Sequence, residues 1–288
     1  MKRVFWLLAL MGAVLLSAAP VPADDGFYVI AGRYTPGTKI TKLPYPITAP
    51  GYYYLTGNLS YTGNAITVNA NDVTIDLMGF SLTGPGTGGP IGITINGSNV
   101  EVRNGTVSGW YIGIWGEGPS NARVINARAN GNIYGIWLNG NNHLIKGCMA
   151  SQGTFGAGVG LTVGSGTISD STVRDFTGTT YAAAIYSMAG PSTITGNAVL
   201  NCTGAGVRGI YAAGPATISH NSVINCSIGI SGAGGGSVIG NAVRANSGQS
   251  GTIYQINPNN FDQNANSGDG NHYVSGGSSP YAWGVNAY

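Results

Sequence analysis

Charged side chains are scarce, at 8% of the 288 residues, and no run of like charge occurs along the chain. Nucleic acids and anionic membrane surfaces are gripped by concentrated basic patches, so neither is expected as a partner. Cysteine is almost missing as well. Three residues cannot build the dense disulfide framework of a small secreted domain, and an odd number cannot all pair within one chain. There is no strict Gly-X-Y period, which excludes a collagen-like chain. Beyond the first two dozen residues, no apolar run is long enough to cross a bilayer.

What the chain has is glycine, 49 residues of it, and a repeat. Ile185 to Cys202 reads IYSMAGPSTITGNAVLNC, and Ile210 to Cys226 reads IYAAGPATISHNSVINC. Both open on Ile-Tyr, pass through Gly-Pro and Thr-Ile, place an Asn three residues after that Ile, and close on Asn-Cys. A unit of 24 or 25 residues without a 3.6-residue apolar period is too short for a propeller blade and wrong for a helical repeat. One coil of a β-solenoid remains.

Extended outward, the pattern sets two apolar residues five apart in eight successive coils: Ile75/Phe80, Val102/Val107, Val124/Ala129, Leu144/Met149, Ile168/Val173, Ile194/Val199, Ile218/Val223 and Val238/Val243. Their first members are separated by 27, 22, 20, 24, 26, 24 and 20 residues. A fixed interval beside an elastic one implies a rigid corner between two short strands, with loops elsewhere absorbing the length changes. A third apolar row runs through Ile66, Ile93, Ile114, Ile136, Leu161, Ile185, Ile210, Ile230 and Ile253. The predicted fold is all-β: a single-stranded right-handed parallel β-helix of roughly nine coils, three short strands per coil, stacked at about 4.8 Å. Asn197, Asn221 and Asn241 are expected at its corner as a side-chain amide ladder in a left-handed turn. Cys202 and Cys226 share one position in neighbouring coils, either as a disulfide or as two stacked thiols. Cys148 is expected to point outward.

The opening MKRVFWLLALMGAVLLSAAPVPA has a Lys-Arg start, an apolar run from Val4 to Leu16 and a Val21-Pro22-Ala23 end. It reads as a secretory signal peptide over 1–23, with no membrane insertion after cleavage. The mature chain would then work in the periplasm, at the cell surface or outside the cell. Losing Lys2 and Arg3 takes the formal charge from +2 to zero. Residues 24–61 are predicted as an N-terminal cap, 62–255 as the β-helix and 256–288 as a C-terminal cap or loose tail.

The run ITAPGYYYLTGNL, followed by ITVNANDVTIDLMGFSLTG, GITINGSNVEVRNGTVSGW and units like TISHNSVINC, resembles the pectin-lyase-like right-handed parallel β-helix proteins. The similarity is to secreted bacterial members with carbohydrate-binding and sugar-hydrolase-type repeats, and it spans Ile47 to Tyr254. It implies an extracellular role on glycans. The enzymes of that superfamily include pectate lyases and polygalacturonases. This chain has neither the Asn-Thr-Asp and Gly-His-Gly motifs of the polygalacturonases nor the Arg-x-Pro-x-x-Arg of the pectate lyases.

A polysaccharide lyase needs a base and carboxylates that hold a cation such as Ca2+, and a hydrolase needs two or three carboxylates around one bond. The carboxylates of the coils are Asp72, Asp76, Glu101, Glu117, Asp170 and Asp175. Their densest grouping, with Lys146 registered under Asp170 and His220 two coils above, makes Lys146 or Arg174 the candidate base and Asp170 with Asp175 the candidate acids. The alternative is a surface salt-bridge network. No metal or other cofactor is called for, and Ca2+ enters only with lyase chemistry. The GxGxxG of Gly204 to Gly209 precedes no helix and is not read as a nucleotide loop.

A different row carries the stronger signal. One residue after the inward Ile of the third row, side chains must face out, and there stand Thr67, Thr94, Trp115, Trp137, Thr162, Tyr186, Tyr211, Ser231 and Tyr254. The preceding position is glycine or alanine (Gly92, Gly113, Gly135, Gly160, Ala184, Gly209 and Gly229), expected as a flat track on the same face. Trp115, Trp137, Tyr186, Tyr211 and Tyr254 are therefore the candidate polysaccharide-binding residues. The leading expectation is a secreted β-helix that binds extracellular polysaccharide through this aromatic ladder, with no catalysis assigned. Two alternatives stay open: a lyase or glycoside hydrolase, and a surface or matrix protein that self-associates through the strip.

Overall fold

The computed structural model describes residues 37–244, apart from 87, 152–158, 179–181, 189, 205 and 233–235, together with the strands Thr252–Ile256 and His272–Val274. The signal-peptide reading of 1–23 and most of the tail lie outside the described residues. Within them the chain is all-β and winds as a right-handed parallel β-helix whose strands all pair in parallel. None of the described residues forms a helix long and apolar enough to cross a membrane.

Three stacks of strands make its walls. The first sheet has ten rungs, from Tyr45–Ile47 through Ile112–Ser120, Tyr134–Asn141 and Ala183–Ser187 to Thr252–Ile256, against the roughly nine coils expected. The second runs from Thr38–Ile40 to Gly236–Ile239, and the third from Leu59–Ser60 to His272–Val274. These two join into one eighteen-stranded sheet because Glu101–Ser108 and Arg123–Asn130 run unbroken through both.

Inside, like sits on like. Val102, Val124, Ile145, Ile168, Ile194 and Ile218 are all fully buried along the second sheet, and Ile114, Ile136, Leu161, Ile185, Ile210 and Ile230 along the first. Each such side chain contributes about 1.5–3 kcal/mol on burial, and none could be buried without the coil above or below it.

The register corrects the sequence reading at several points. Val124 pairs with Ile145 and Ile145 with Ile168, so the inward pair of that coil is Ile145 and Ala150 rather than Leu144 and Met149. Leu144 and Ile145 are both apolar neighbours, and only backbone pairing chooses between them. In the coil of Val73–Asp76 and Ser81–Thr83, Leu82 takes the inward place expected for Phe80, opposite Val107, because the corner there is longer, turning through Met78 and Gly79 at φ 52° and 82°. Stacking also starts earlier than residue 62: Tyr45–Ile47, Gly51–Leu55 and Leu59–Ser60 already pair with the following coil. Much of the expected cap is thus a coil of the solenoid.

The corner between the second and third sheets places Asn104, Asn126, Gly147, Asp170, Gly196, His220 and Gly240 in one column, all between φ 52° and 67°. The left-handed residue therefore precedes the buried asparagines rather than being them. Asn197, Asn221 and Asn241 turn inward and form the expected amide ladder, with Asn197 Nδ2 donating to Asn221 Oδ1 at 3.0 Å and Asn221 Nδ2 to Asn241 Oδ1 at 2.9 Å. Cys148 lies in the same inward column and is buried, not outward. Its N–H donates to Ser171 Oγ, and burial pushes its thiol up to about 11.

Candidate functional site

Backbone pairing places Thr67, Thr94, Trp115, Trp137, Thr162, Tyr186, Tyr211 and Ser231 in a single row on the first sheet. Trp115, Trp137, Tyr186 and Tyr211 are each half-buried between fully buried strand neighbours, so the row faces outward as strand alternation requires. Tyr254 does not continue it. It pairs with Ile230, the inward row, and Gln255 pairs with Ser231. A one-residue slip exchanges the faces of a strand, and the sequence offered no fixed corner near Ile253 to set the register.

The rings fall into two groups separated by the buried Thr162. Tyr186 and Tyr211 stack at 5.3 Å and 2°, and the Arg208 guanidinium lies 4.6 Å from the Tyr211 ring centroid. The Trp137 ring lies 4.9 Å from that of Tyr134, which meets Tyr111 edge-on at 5.4 Å. Burial, with the neighbouring ring second, raises the phenol of Tyr186 above the ordinary tyrosine value, and does the same at Tyr134. The Trp137 Nε1 is buried and makes no hydrogen bond. Tyr111 and Tyr134 extend the aromatic surface beyond the residues that sequence alternation picked out, because they stand four and three positions before Trp115 and Trp137 rather than in the row itself.

The glycines beside the row are not an outward track. Each is buried, and a Cβ on Gly92, Gly160 or Gly209 would lie 2.7, 2.6 or 2.5 Å from a methyl of Val107, Val173 or Val223. These glycines are small because the first sheet closes onto the core of the third there.

The candidate catalytic residues separate. Lys146 Nζ lies 3.7 Å from Asp170 Oδ2 and Arg174 Nε lies 3.6 Å from Asp175 Oδ2, in two pairs whose side chains are 43–59% exposed. Lys146 pairs along the backbone with Ser169 rather than Asp170. Asp170 fills a left-handed corner before the strand Thr172–Arg174, and Asp175 another after it, at φ 52° and 59°. Asp175 is also the first rung of an exposed ladder, accepting from Asn201 Nδ2 at 3.1 Å while Asn201 accepts from Asn225 at 3.0 Å. Their positions are those of turn residues. His220 does lie two coils above Asp170 in the same corner, with Gly196 between them.

The buried charge sits elsewhere. Asp76 is 4% exposed and accepts from Arg103 Nε at 2.8 Å, from the Met78 N–H at 2.9 Å and from Asn104. Burial alone would raise its carboxyl; the Met78 amide, Arg103 and Asn104 together hold it below the ordinary value. Arg103 Nη1 continues to Glu101 at 3.1 Å, and Glu101 lies 3.5 Å from Arg123 Nε.

Beside this chain of charges runs a groove of about 710 Å3 that sequence reasoning missed. Its floor is Thr74, Glu101, Arg123 and Leu144 of the second sheet, and its wall is Asn99, Asn121 and Asn142. With Asp72 these asparagines form an exposed ladder at φ 56–61°, each Nδ2 donating to the preceding Oδ1 at 2.8, 2.9 and 2.6 Å. The signal was present as an Asn or Asp just before each second-sheet strand, in NDVTI, SNVEV, SNARV and NNHLI.

Comparison with curated proteins finds no sequence match. Among solved structures, the catalytic unit of the thermostable GH87 α-1,3-glucanase from Streptomyces thermodiastaticus strain HF3-3 is similar at 13% identity and a TM-score of 0.41, over 84% of this chain. The matched region spans 64% of that protein's length. The family model described as periplasmic copper-binding protein (NosD) matches residues 57–280, the whole run of coils from the second onward. With most of its length accounted for by that model, and with the parallel β-helix observed, the chain belongs to the NosD family.

Proposed function

We propose that this NosD-family chain acts outside the cytoplasm, in the periplasm or beyond it, as a polysaccharide-binding β-helix whose contact surface is the aromatic row of the first sheet. The observation that carries the reading is the register itself. Trp115 stands beside Trp137 and Tyr186 beside Tyr211 on one outward face, at a coil spacing comparable to one sugar unit. Partly exposed aromatic rings in a row offer apolar surface to the C–H faces of sugar rings, with tyrosine hydroxyls at their edges for the sugar oxygens.

The family description raises copper. Copper sites are built from clustered imidazole, thiolate and thioether ligands. Among the described residues no three His, Cys, Asp or Glu side chains gather where they could hold a metal ion. Cys148, Cys202 and Cys226 are all buried, and in the Cys202–Cys226 pair the shared hydrogen bond raises the first thiol while lowering the second, so the pair offers no more than one thiolate. Thiolates, not thiols, bind metals. The described residues do not fit a resident copper centre, and no step of the proposed function runs through one.

The test is affinity electrophoresis through gels containing a panel of polysaccharides. Retardation should be specific to one or a few polymers and should be weakened in Trp115→Ala combined with Trp137→Ala. Retardation unchanged by that pair, in protein with wild-type melting, overturns the assignment of the face. No retardation with any polymer, together with a concentration-dependent oligomer by sedimentation that the same pair dissolves, replaces it with self-association.

A further inference from the structure

We propose that the groove on the second sheet is a separate binding track for a neutral, linear polysaccharide laid along the solenoid axis. This inference does not depend on the aromatic row, which lies on the first sheet.

The wall of the groove supplies the repeat. A side-chain amide carries two donors and two acceptor lone pairs. In the middle rung, Asn121 spends one N–H on Asn99 and one lone pair on Asn142. That leaves one donor and one acceptor on an exposed side chain, and the same unit recurs at Asn99 and Asn142, one per coil at about 4.8 Å. A donor paired with an acceptor is what a sugar hydroxyl, or two adjacent hydroxyls, can match. The ladder hydrogen bonds hold all three amides in one orientation, so little side-chain entropy remains to be lost on binding. The buried ladder differs here: Asn197 and Asn221 direct Nδ2 at the main-chain carbonyls of Ile168 and Ile194, leaving little for a ligand.

The floor sets the charge. Its charged residues are one acid and one base, Glu101 and Arg123, 3.5 Å apart, and Arg103 and Asp76 continue the alternation beside the groove. A polyanion or polycation would meet a charge of its own sign within one coil, whereas a neutral polymer meets guanidinium and carboxylate edges already held in place. Leu144, half-buried at the end of the groove, adds an apolar patch for one sugar face.

The length of the track favours a polymer over a small polyol. The ladder stops at Asn142, whose N–H meets Ser165 Oγ at 3.2 Å. Beyond Leu144 the same row continues in register as Thr167, Thr193, Thr217 and Ser237. A chain leaving the groove therefore stays among hydroxyls.

Isothermal titration with neutral hexasaccharides of the glucan, xylan and mannan types, and with galacturonate hexamer as the anionic comparison, tests the proposal. At least one neutral hexamer should bind more tightly than the galacturonate. Asn99→Gly with Asn121→Gly, which keeps the left-handed corners, should weaken it at least tenfold, and so should Arg123→Gln, an exposed change that does not threaten folding. Trp115→Ala with Trp137→Ala should leave this affinity unchanged. Absence of neutral binding, preference for galacturonate, or affinity unaffected by Arg123→Gln overturns the groove. A loss confined to the tryptophan variant overturns the groove while supporting the first-sheet reading, so the two fail separately.

Discussion

Asn221 accepts both the main-chain N–H and the Nδ2 of Asn197 at its Oδ1, at 2.9 and 3.0 Å, while its own Nδ2 reaches the Ile194 carbonyl at 2.9 Å. All of this happens in the core, where Asn221 is 1% exposed. Asn221→Ala leaves a buried N–H and a buried carbonyl without partners and should cost about 2–4 kcal/mol. Asn221→Ser should cost less, since Ser171 already fills this column in a lower coil and caps Cys148 N–H with its hydroxyl. Denaturant midpoints of the two variants check the order; equal losses would show that the amide is not what holds the corner.

Gly92→Ala should destabilise the protein by about 1–3 kcal/mol through overpacking. The added methyl would stand 2.6 Å from the Gly113 carbonyl oxygen and 2.7 Å from Val107 Cγ1. The measurement is a thermal melt. An unchanged melting temperature would return this row of glycines to the surface, where sequence alternation had placed it.

Asp170→Asn should change stability by no more than about 0.5 kcal/mol, because an exposed ion pair contributes little and Asn tolerates a left-handed backbone. Asp170→Val should cost more than about 1 kcal/mol at the same position, where φ is 52° and β-branched residues are strained. The comparison separates the backbone role of this residue from the charge of its carboxylate. If Asn is as damaging as Val, the carboxylate itself matters.

His143 supplies a pH dependence. It is buried and its Nδ1 accepts the Ala122 N–H at 3.2 Å, which requires a neutral ring with the proton on Nε2. Burial lowers its pKa from 6.5. The unfolded chain therefore takes up a proton first as pH falls, so this contribution is complete above about pH 6.5 and declines as pH drops toward the folded value. His143→Asn offers Oδ1 where Nδ1 stood and cannot titrate. Urea midpoints between pH 7.5 and 5 should slope for the wild type, and less for the variant.

Most of the architecture was legible because a β-helix writes its inward rows as the same residue types coil after coil. Ile168, Ile194 and Ile218, or Trp115 and Trp137, could be aligned by eye. Reading failed where two neighbours were equally apolar, as at Leu144 and Ile145, since a one-position choice reverses which side chains face water. It failed again at Gly92, Gly160 and Gly209, because a residue with no side chain does not announce a direction. The candidate catalytic grouping of Lys146, Asp170, Arg174 and Asp175 resolves into two exposed ion pairs for a different reason. Asp170 and Asp175 are close in sequence, but a corner lies at each end of the strand between them, and acids suited to left-handed turns look like acids suited to chemistry. The exposed Asp72 to Asn142 ladder was readable, yet single asparagines before each strand carry no weight until stacking brings them together.

The inner amide ladder has an arrow. In every rung the oxygen of the later coil closes the N–H of the earlier one: Ser171 on Asn197, Asn197 on Asn221, Asn221 on Asn241. Each main-chain N–H of the column is thus closed by its successor, so trimming coils from the C-terminal side uncovers main-chain donors in the core, whereas trimming from the N-terminal side uncovers the side-chain Nδ2 groups that reach the Ile168, Ile194 and Ile218 carbonyls of the preceding coil. A nascent chain emerging in order would carry an open rung at its growing tip until the next coil arrived, which gives this solenoid a built-in direction of assembly.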